Sequence, residues 1–130
     1  QTEYFVPRPE AVAALRAVAR LSDQIAPLLQ ISEIRTIAAD DLWLSPHYQR
    51  DSVGIHFTWK KDWPGVRHLL PKLEQALAPF QARPHWGKLF TMSGRELQSH
   101  YERLDDARRL RREFDPNGKF ANAFLEGIFD

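Results

Sequence analysis

Four side chains of contrasting chemistry fall at alternating positions in two strand-like segments. In Gln30 to Ala38, Glu33 and Arg35 point to one side and Ile34 to the other. In Val53 to Trp59, His56 and Thr58 share the side opposite Ile55, Phe57 and Trp59. With the large apolar residues on a core, the other sheet face carries Glu33, Arg35, His56 and Thr58. A carboxylate, a guanidinium, an imidazole and a hydroxyl together suit a ligand with several hydroxyls, since each hydroxyl both donates and accepts. The plain alternative is a solvent-facing polar surface, and the strand register that decides between the two is not set by sequence. A second feature is His85-Trp86-Gly87-Lys88. Gly87 beside Trp86 points to close approach of another backbone or a ring. Lys88 on such a segment can stabilise negative charge on a reacting oxygen. Its alternative is a surface lysine next to a core tryptophan.

The elements that must position these groups follow from patterning. Thr2 to Val6 reads as a short strand closed by Pro7. Pro9 opens a helix, where its missing N–H does no harm. Val12, Leu15, Val18, Ala19 and Ser22 give that helix its stripe, and Pro27 limits it. Gln30 to Ala38 is a strand, Asp40 to Ser52 a loop, and Val53 to Trp59 a strictly alternating strand. A turn over Lys60 to Trp63 leads into a helix with Pro64 in its first turn. Val66, Leu69, Leu70, Leu73 and Leu77 form its apolar face, and Pro79 ends it. Ala82 to Phe90 is expected to be a fourth strand, interrupted at Pro84 and Gly87. The order strand, helix, strand, strand, helix, strand predicts an α+β, ferredoxin-like antiparallel sheet with helices on one face. Residues 1–92 form this sheet-and-helix unit and residues 93–130 a helical tail. In the tail, Ser93 and Glu96 form a capping box, and a helix is expected over Leu104 to Phe114. Asp115-Pro116-Asn117-Gly118 fits a type I turn. The apolar ending Phe120, Phe124, Leu125, Ile128 and Phe129 should dock on something.

Composition narrows the class. A chain of 130 residues, 43% hydrophobic, predicts one domain with a real core. Eighteen basic and 17 acidic residues leave a net charge of +1, which argues against a dedicated nucleic-acid binder. There is no cysteine, hence no disulfide or thiolate metal site. No apolar run approaches the roughly 20 residues needed to span a membrane, and no signal peptide is visible. The sequence starts at Gln1, as an excised piece would. His47, His68 and His100 lack metal-ligand spacing, so no metal is expected. No Gly-rich phosphate loop, serine elbow or cysteine nucleophile is present. The basic run Arg108 to Arg112 follows Asp105 and Asp106, an order that complements a helix dipole and reads as a solvated helix.

These residues carry a resemblance. Ser32-Glu33-Ile34-Arg35-Thr36, His56-Phe57-Thr58-Trp59, His85-Trp86-Gly87-Lys88 and the run Asp115 to Leu125 resemble segments of the bacterial alditol (xylitol) oxidases. Those are vanillyl-alcohol-oxidase type flavoproteins, in the branch with the aldonolactone oxidases. The likeness extends over essentially the whole chain, with motifs in family order. The Glu33-Ile34-Arg35 strand points more narrowly to the alditol oxidases.

The resemblance implies a two-domain enzyme. An N-terminal domain, absent from this chain, binds FAD covalently through a histidine and supplies a substrate-contacting serine. The C-terminal domain roofs the flavin ring. By position, Arg35 and Lys88 would contact the hydroxyl being oxidised, while Glu33, His56 and Thr58 would hold hydroxyls further along. The implied reaction is hydride transfer from a terminal polyol carbon to the flavin, giving an aldose, with oxygen returning as hydrogen peroxide. This piece alone should be inactive, and its exposed docking face should favour self-association. A cytoplasmic location goes with the resemblance. Three other readings stay open: an aldonolactone substrate, a free-standing ferredoxin-like module for a metabolite or RNA, and a remnant without activity.

Overall fold

A computed structural model describes residues 1–129. Strand β1 (Thr2–Pro7) leads through a 3-10 turn at Arg8–Glu10 into helix α1 (Ala11–Ala19). A short helix α2 (Ser22–Ile25) precedes β2 (Leu29–Ile37). After the 40–51 loop come β3 (Ser52–Trp59), α3 (Trp63–Leu77), a 3-10 turn at Ala78–Phe80 and the two-residue strand β4 (Arg83–Pro84). The tail adds α4 (Gly94–Gln98), α5 (Leu104–Phe114) and α6 (Ala123–Phe129). The four strands form one antiparallel sheet in the order β2-β3-β1-β4, the ferredoxin-like arrangement that the element order predicts.

One face of the sheet is the core. Tyr4 and Val6 of β1 lie across from Ile55 and Val53 of β3, and all four are buried with Phe57 and Trp59. Helices α1 and α3 cover them through Ala14, Val18, Val66, Leu69, Leu70, Leu73 and Leu77. Each large apolar side chain so buried contributes about 1.5–3 kcal/mol, which makes the α3 stripe a main source of stability. Trp59 stacks on Phe57 at 5.0 Å and donates its ring N–H to Thr2 Oγ1 at 2.9 Å, so its polar atom is satisfied inside the core. Helix α3 starts where the Asp62 side chain accepts from Gly65 N at 3.0 Å, with Pro64 in the first turn. The turn after it ends at Gln81, in the left-handed region at φ 49.

Two expectations are corrected. The fourth strand is only Arg83–Pro84, not Ala82 to Phe90. Pro84 has no N–H to give to a ladder, and the chain turns at once, with Lys88 N donating to His85 O at 3.0 Å. The segment still tracks β1 through His85 N to Glu3 O and Leu89 N to Gln1 O, both 2.9 Å. Nor is the face opposite the helices free along its centre. Glu3, Phe5 and His56 are buried there, roofed by the 40–51 loop and the His85–Lys88 turn. Strand β2, at the sheet edge, is the open one. Ile34 on its helix side is 61% exposed because α1 and α3 do not reach that far.

The tail packs on this unit. Leu97, Tyr101, Leu104 and Ile128 form a second apolar cluster joined to the first by Phe90 and Met92. Ser93 caps α4 with the full reciprocal box. The Asp115 to Gly118 turn closes with Gly118 N on Asp115 O at 3.1 Å. The apolar ending docks in part: Ile128 is buried, whereas Phe120 is 73% exposed.

Candidate functional site

Register settles whether the polar residues meet. Across the sheet, Glu33 of β2, His56 of β3 and Glu3 of β1 lie in one row. In the next row, Arg35, Gly54 and Phe5 lie side by side. The two rows share the face opposite the helices. Thr58, half-buried and paired with Ile31, continues that face two residues beyond His56. The alternation of β2 and β3 thus brings Glu33, Arg35 and His56 together, and Lys88 joins them from the turn after β4.

What joins them is Glu3, a residue that sequence patterning did not single out. Its carboxylate is 3% exposed, on a central strand. One oxygen accepts from Arg35 Nη1 at 3.3 Å, and the other from Lys88 Nζ. Arg35 also pairs with Glu33 through Nη2. Two carboxylates therefore face two cations. A buried carboxylate without such partners would be strongly unfavourable. Gly54 leaves the room, since a Cβ there would stand 3.0 Å from Glu3 Oε1 and 3.1 Å from the Phe5 ring. The close-approach glycine of this site is accordingly Gly54. Gly87, for which a close approach was expected, has only the His85 ring nearby, at an ordinary 3.5 Å.

His56 is 3% exposed, with Nδ1 3.2 Å from Glu33 Oε2. That approach is poorly directed for a hydrogen bond, and neither ring nitrogen has a hydrogen-bond partner among the described residues. Burial, and then the Lys88 charge, hold the imidazole below its ordinary pKa, so it stands neutral with one nitrogen to donate and one to accept.

Beside this cluster lies a cleft of about 320 Å³. Glu3, Phe5 and Arg35 form its floor, and Pro46, His47, His85 and Trp86 rise at its sides. His47 packs edge-on against Phe5 at 4.6 Å, and burial lowers its pKa too. The walls are held from behind. Arg83, itself buried, donates to the carbonyls of Pro46, Tyr48 and His100, and Arg50 to those of Phe5 and Gln81. The Trp86 ring N–H donates to Leu44 O at 2.7 Å. A larger groove of about 560 Å³ lies elsewhere, along α3 and the tail. Of its carboxylates, Glu74 is engaged by Tyr4 and Thr91 and Glu96 by Ser93. His68 is exposed on α3, away from the cluster. Among the described residues no group of His, Asp and Glu could hold a metal ion, and no helix is long and apolar enough to cross a membrane.

The family model described as D-arabinono-1,4-lactone oxidase matches residues 1–128. The chain belongs to this family. It is 51% identical over 130 residues to the alditol oxidase of Streptomyces sp. (strain IKD472 / FERM P-14339), covering all of this chain and 31% of that protein. It is 28% identical to the L-gulonolactone oxidase of Mus musculus and to the L-gulono-1,4-lactone dehydrogenase of Mycobacterium tuberculosis. Each of these two alignments covers 98% of this chain and 30% of the relative. The chain thus spans about a third of the length of the curated relatives it matches. The family and the alditol-oxidase likeness are those that the Glu33, His56, His85 and Asp115 segments pointed to.

Proposed function

We propose that this chain is the substrate-binding part of an FAD-dependent oxidase. Its parent oxidises the terminal hydroxyl of an alditol such as xylitol or sorbitol to the aldose and reduces oxygen to hydrogen peroxide. The observation that carries this reading is the convergence of Arg35 and Lys88 on one buried carboxylate, with His56 alongside and its ring nitrogens without a hydrogen-bond partner. The full-length likeness to an alditol oxidase supports it.

The residues fit one end of such a cofactor only. No Gly-rich turn between a strand and a helix offers a phosphate cradle among the described residues. The cleft over Glu3, with Arg35 in its lining and Lys88 bound to the same carboxylate, suits a reacting centre. FAD would be held by the remainder of the protein and, when bound, supplies the two-electron acceptor. Arg35 and Lys88 stand against the hydroxyl being oxidised, where their charge favours the alkoxide as its proton leaves. Glu33 and Thr58 present an acceptor and a hydroxyl for the hydroxyls further along the polyol, and neutral His56 offers both a donor and an acceptor.

The lactone-oxidase family model makes an aldonolactone the competing substrate. An RNA-binding sheet is disfavoured, because Phe57 and Trp59 are 2% and 8% exposed and lie in the core. The full-length protein, assayed for peroxide with xylitol, sorbitol and a 1,4-lactone, separates the readings. Peroxide with the polyols supports the alditol assignment, and peroxide with the lactone alone replaces it.

A further inference from the structure

We propose that Glu3 is a positioning residue for the oxidation, the buried carboxylate that fixes where Arg35 and Lys88 stand. The inference rests on the reading of those two cations given above. Three observations carry it. First, each Glu3 oxygen takes one cation, Oε1 from Arg35 and Oε2 from Lys88, so a single rigid group sets both positions at once. Second, the two cations arrive from opposite sides. Arg35 reaches from β2 across β3 at Gly54, the one position of that row with no side chain, and Lys88 comes from the turn beyond β4. Third, Glu3 holds that turn twice, by its side chain on Lys88 and by its backbone carbonyl on His85 N at 2.9 Å. Among the described residues Glu3 is the carboxylate that Arg35 and Lys88 share. Without the carboxylate, two like charges would face each other and the Lys88 side chain would lose its anchor.

The test uses the full-length, FAD-loaded protein. Glu3→Gln keeps the shape and removes the charge. Turnover with xylitol should fall on the order of 100-fold, as for a reacting group misplaced by about 1 Å, while KM moves by less than about threefold. Gly54→Ala keeps every charge and crowds the Glu3 carboxylate. It should lower turnover by roughly tenfold through the same displacement. A readout independent of turnover is acylation of lysines by an amine-reactive ester, mapped by mass spectrometry. In Glu3→Gln, Lys88 should react several-fold faster while Lys60, Lys72 and Lys119 keep their rates. Turnover of Glu3→Gln within about twofold of the parent, or unchanged Lys88 acylation, would overturn the proposal. If the parent itself fails to oxidise polyols, the functional reading falls, and the acylation ratio still decides whether Glu3 anchors Lys88. Glu3→Asp, which keeps the charge one methylene shorter, should restore part of the lost turnover, and no restoration would also count against the proposal.

Discussion

Adjacent residues of β1 face two kinds of interior. Tyr4 and Val6 enter an apolar layer against α1 and α3, where the gain is burial itself. Glu3, between Thr2 and Tyr4, is as deeply buried as they are, yet its surroundings are charged. The same holds on β3, where Ile55 and Phe57 belong to the core and His56 to the polar row. One face therefore stabilises the fold through area. The other keeps groups desolvated at a cost in stability and offsets it pair by pair. A face of the second kind is poor at holding a protein together and well suited to a reaction, because charges in a water-poor setting act strongly on a bound oxygen.

Substitutions on the two faces should therefore separate function from stability. On the polar face, Lys88→Met in the full-length protein should lower kcat by two to three orders of magnitude, about 3–4 kcal/mol in the barrier. Its thermal midpoint should fall too, because Glu3 keeps only Arg35 as a partner, but turnover per folded flavin should fall far more, and steady-state kinetics beside a melting curve would show both. Near-normal turnover would remove Lys88 from the reaction. On the apolar face, Leu73→Ala should destabilise by about 3 kcal/mol, since Leu73 is fully buried. The folded fraction should keep its turnover per flavin. A large loss of turnover there would blur the contrast between the faces.

The histidines give a weaker and pH-dependent version of the same contrast. His47, His56 and His100 are all held below the ordinary value of 6.5, chiefly by burial. Below that pH the unfolded chain takes up protons that the folded chain resists. Their contribution to stability is therefore whole above pH 6.5 and is lost as pH falls through the folded-state values, by at most about 1.4 kcal/mol per pH unit for each group. Melting temperatures between pH 7.5 and 5.5 should decline, and His56→Gln should flatten the slope. The smallest effect is expected far from both faces. Ser93→Ala removes the α4 capping box and should cost about 1 kcal/mol in a denaturation curve without altering turnover.

Much of this was legible in the sequence where a pattern had a single physical cause. The Val66 to Leu77 stripe can only be one face of a helix, and Ser93 with Glu96 can only cap one. Alternation in β2 and β3 placed Glu33, Arg35 and His56 on one face, and the register then aligned them. Glu3 escaped notice because β1 is buried on both sides from Thr2 to Val6, so alternation there separates nothing. A carboxylate inside an otherwise buried strand was the signal that was available. The cleft walls were illegible for a different reason. The 40–51 loop has no period, and its place is set by Arg50 and Arg83 reaching carbonyls more than 30 residues away in five contacts except one, from Arg83 to His100 O at a separation of 17. The fourth strand was overextended because Pro84 truncates the ladder while isolated hydrogen bonds carry the chain on beside β1.

The central claim is that the charged face binds a polyol at the reacting end of a flavin. The most direct test is the visible spectrum of the full-length protein, recorded without oxygen before and after xylitol is added. The expected result is a yellow protein that bleaches with xylitol and recovers its colour with oxygen as peroxide appears. A yellow protein that keeps its colour with xylitol and sorbitol, and bleaches only with a lactone, would contradict it.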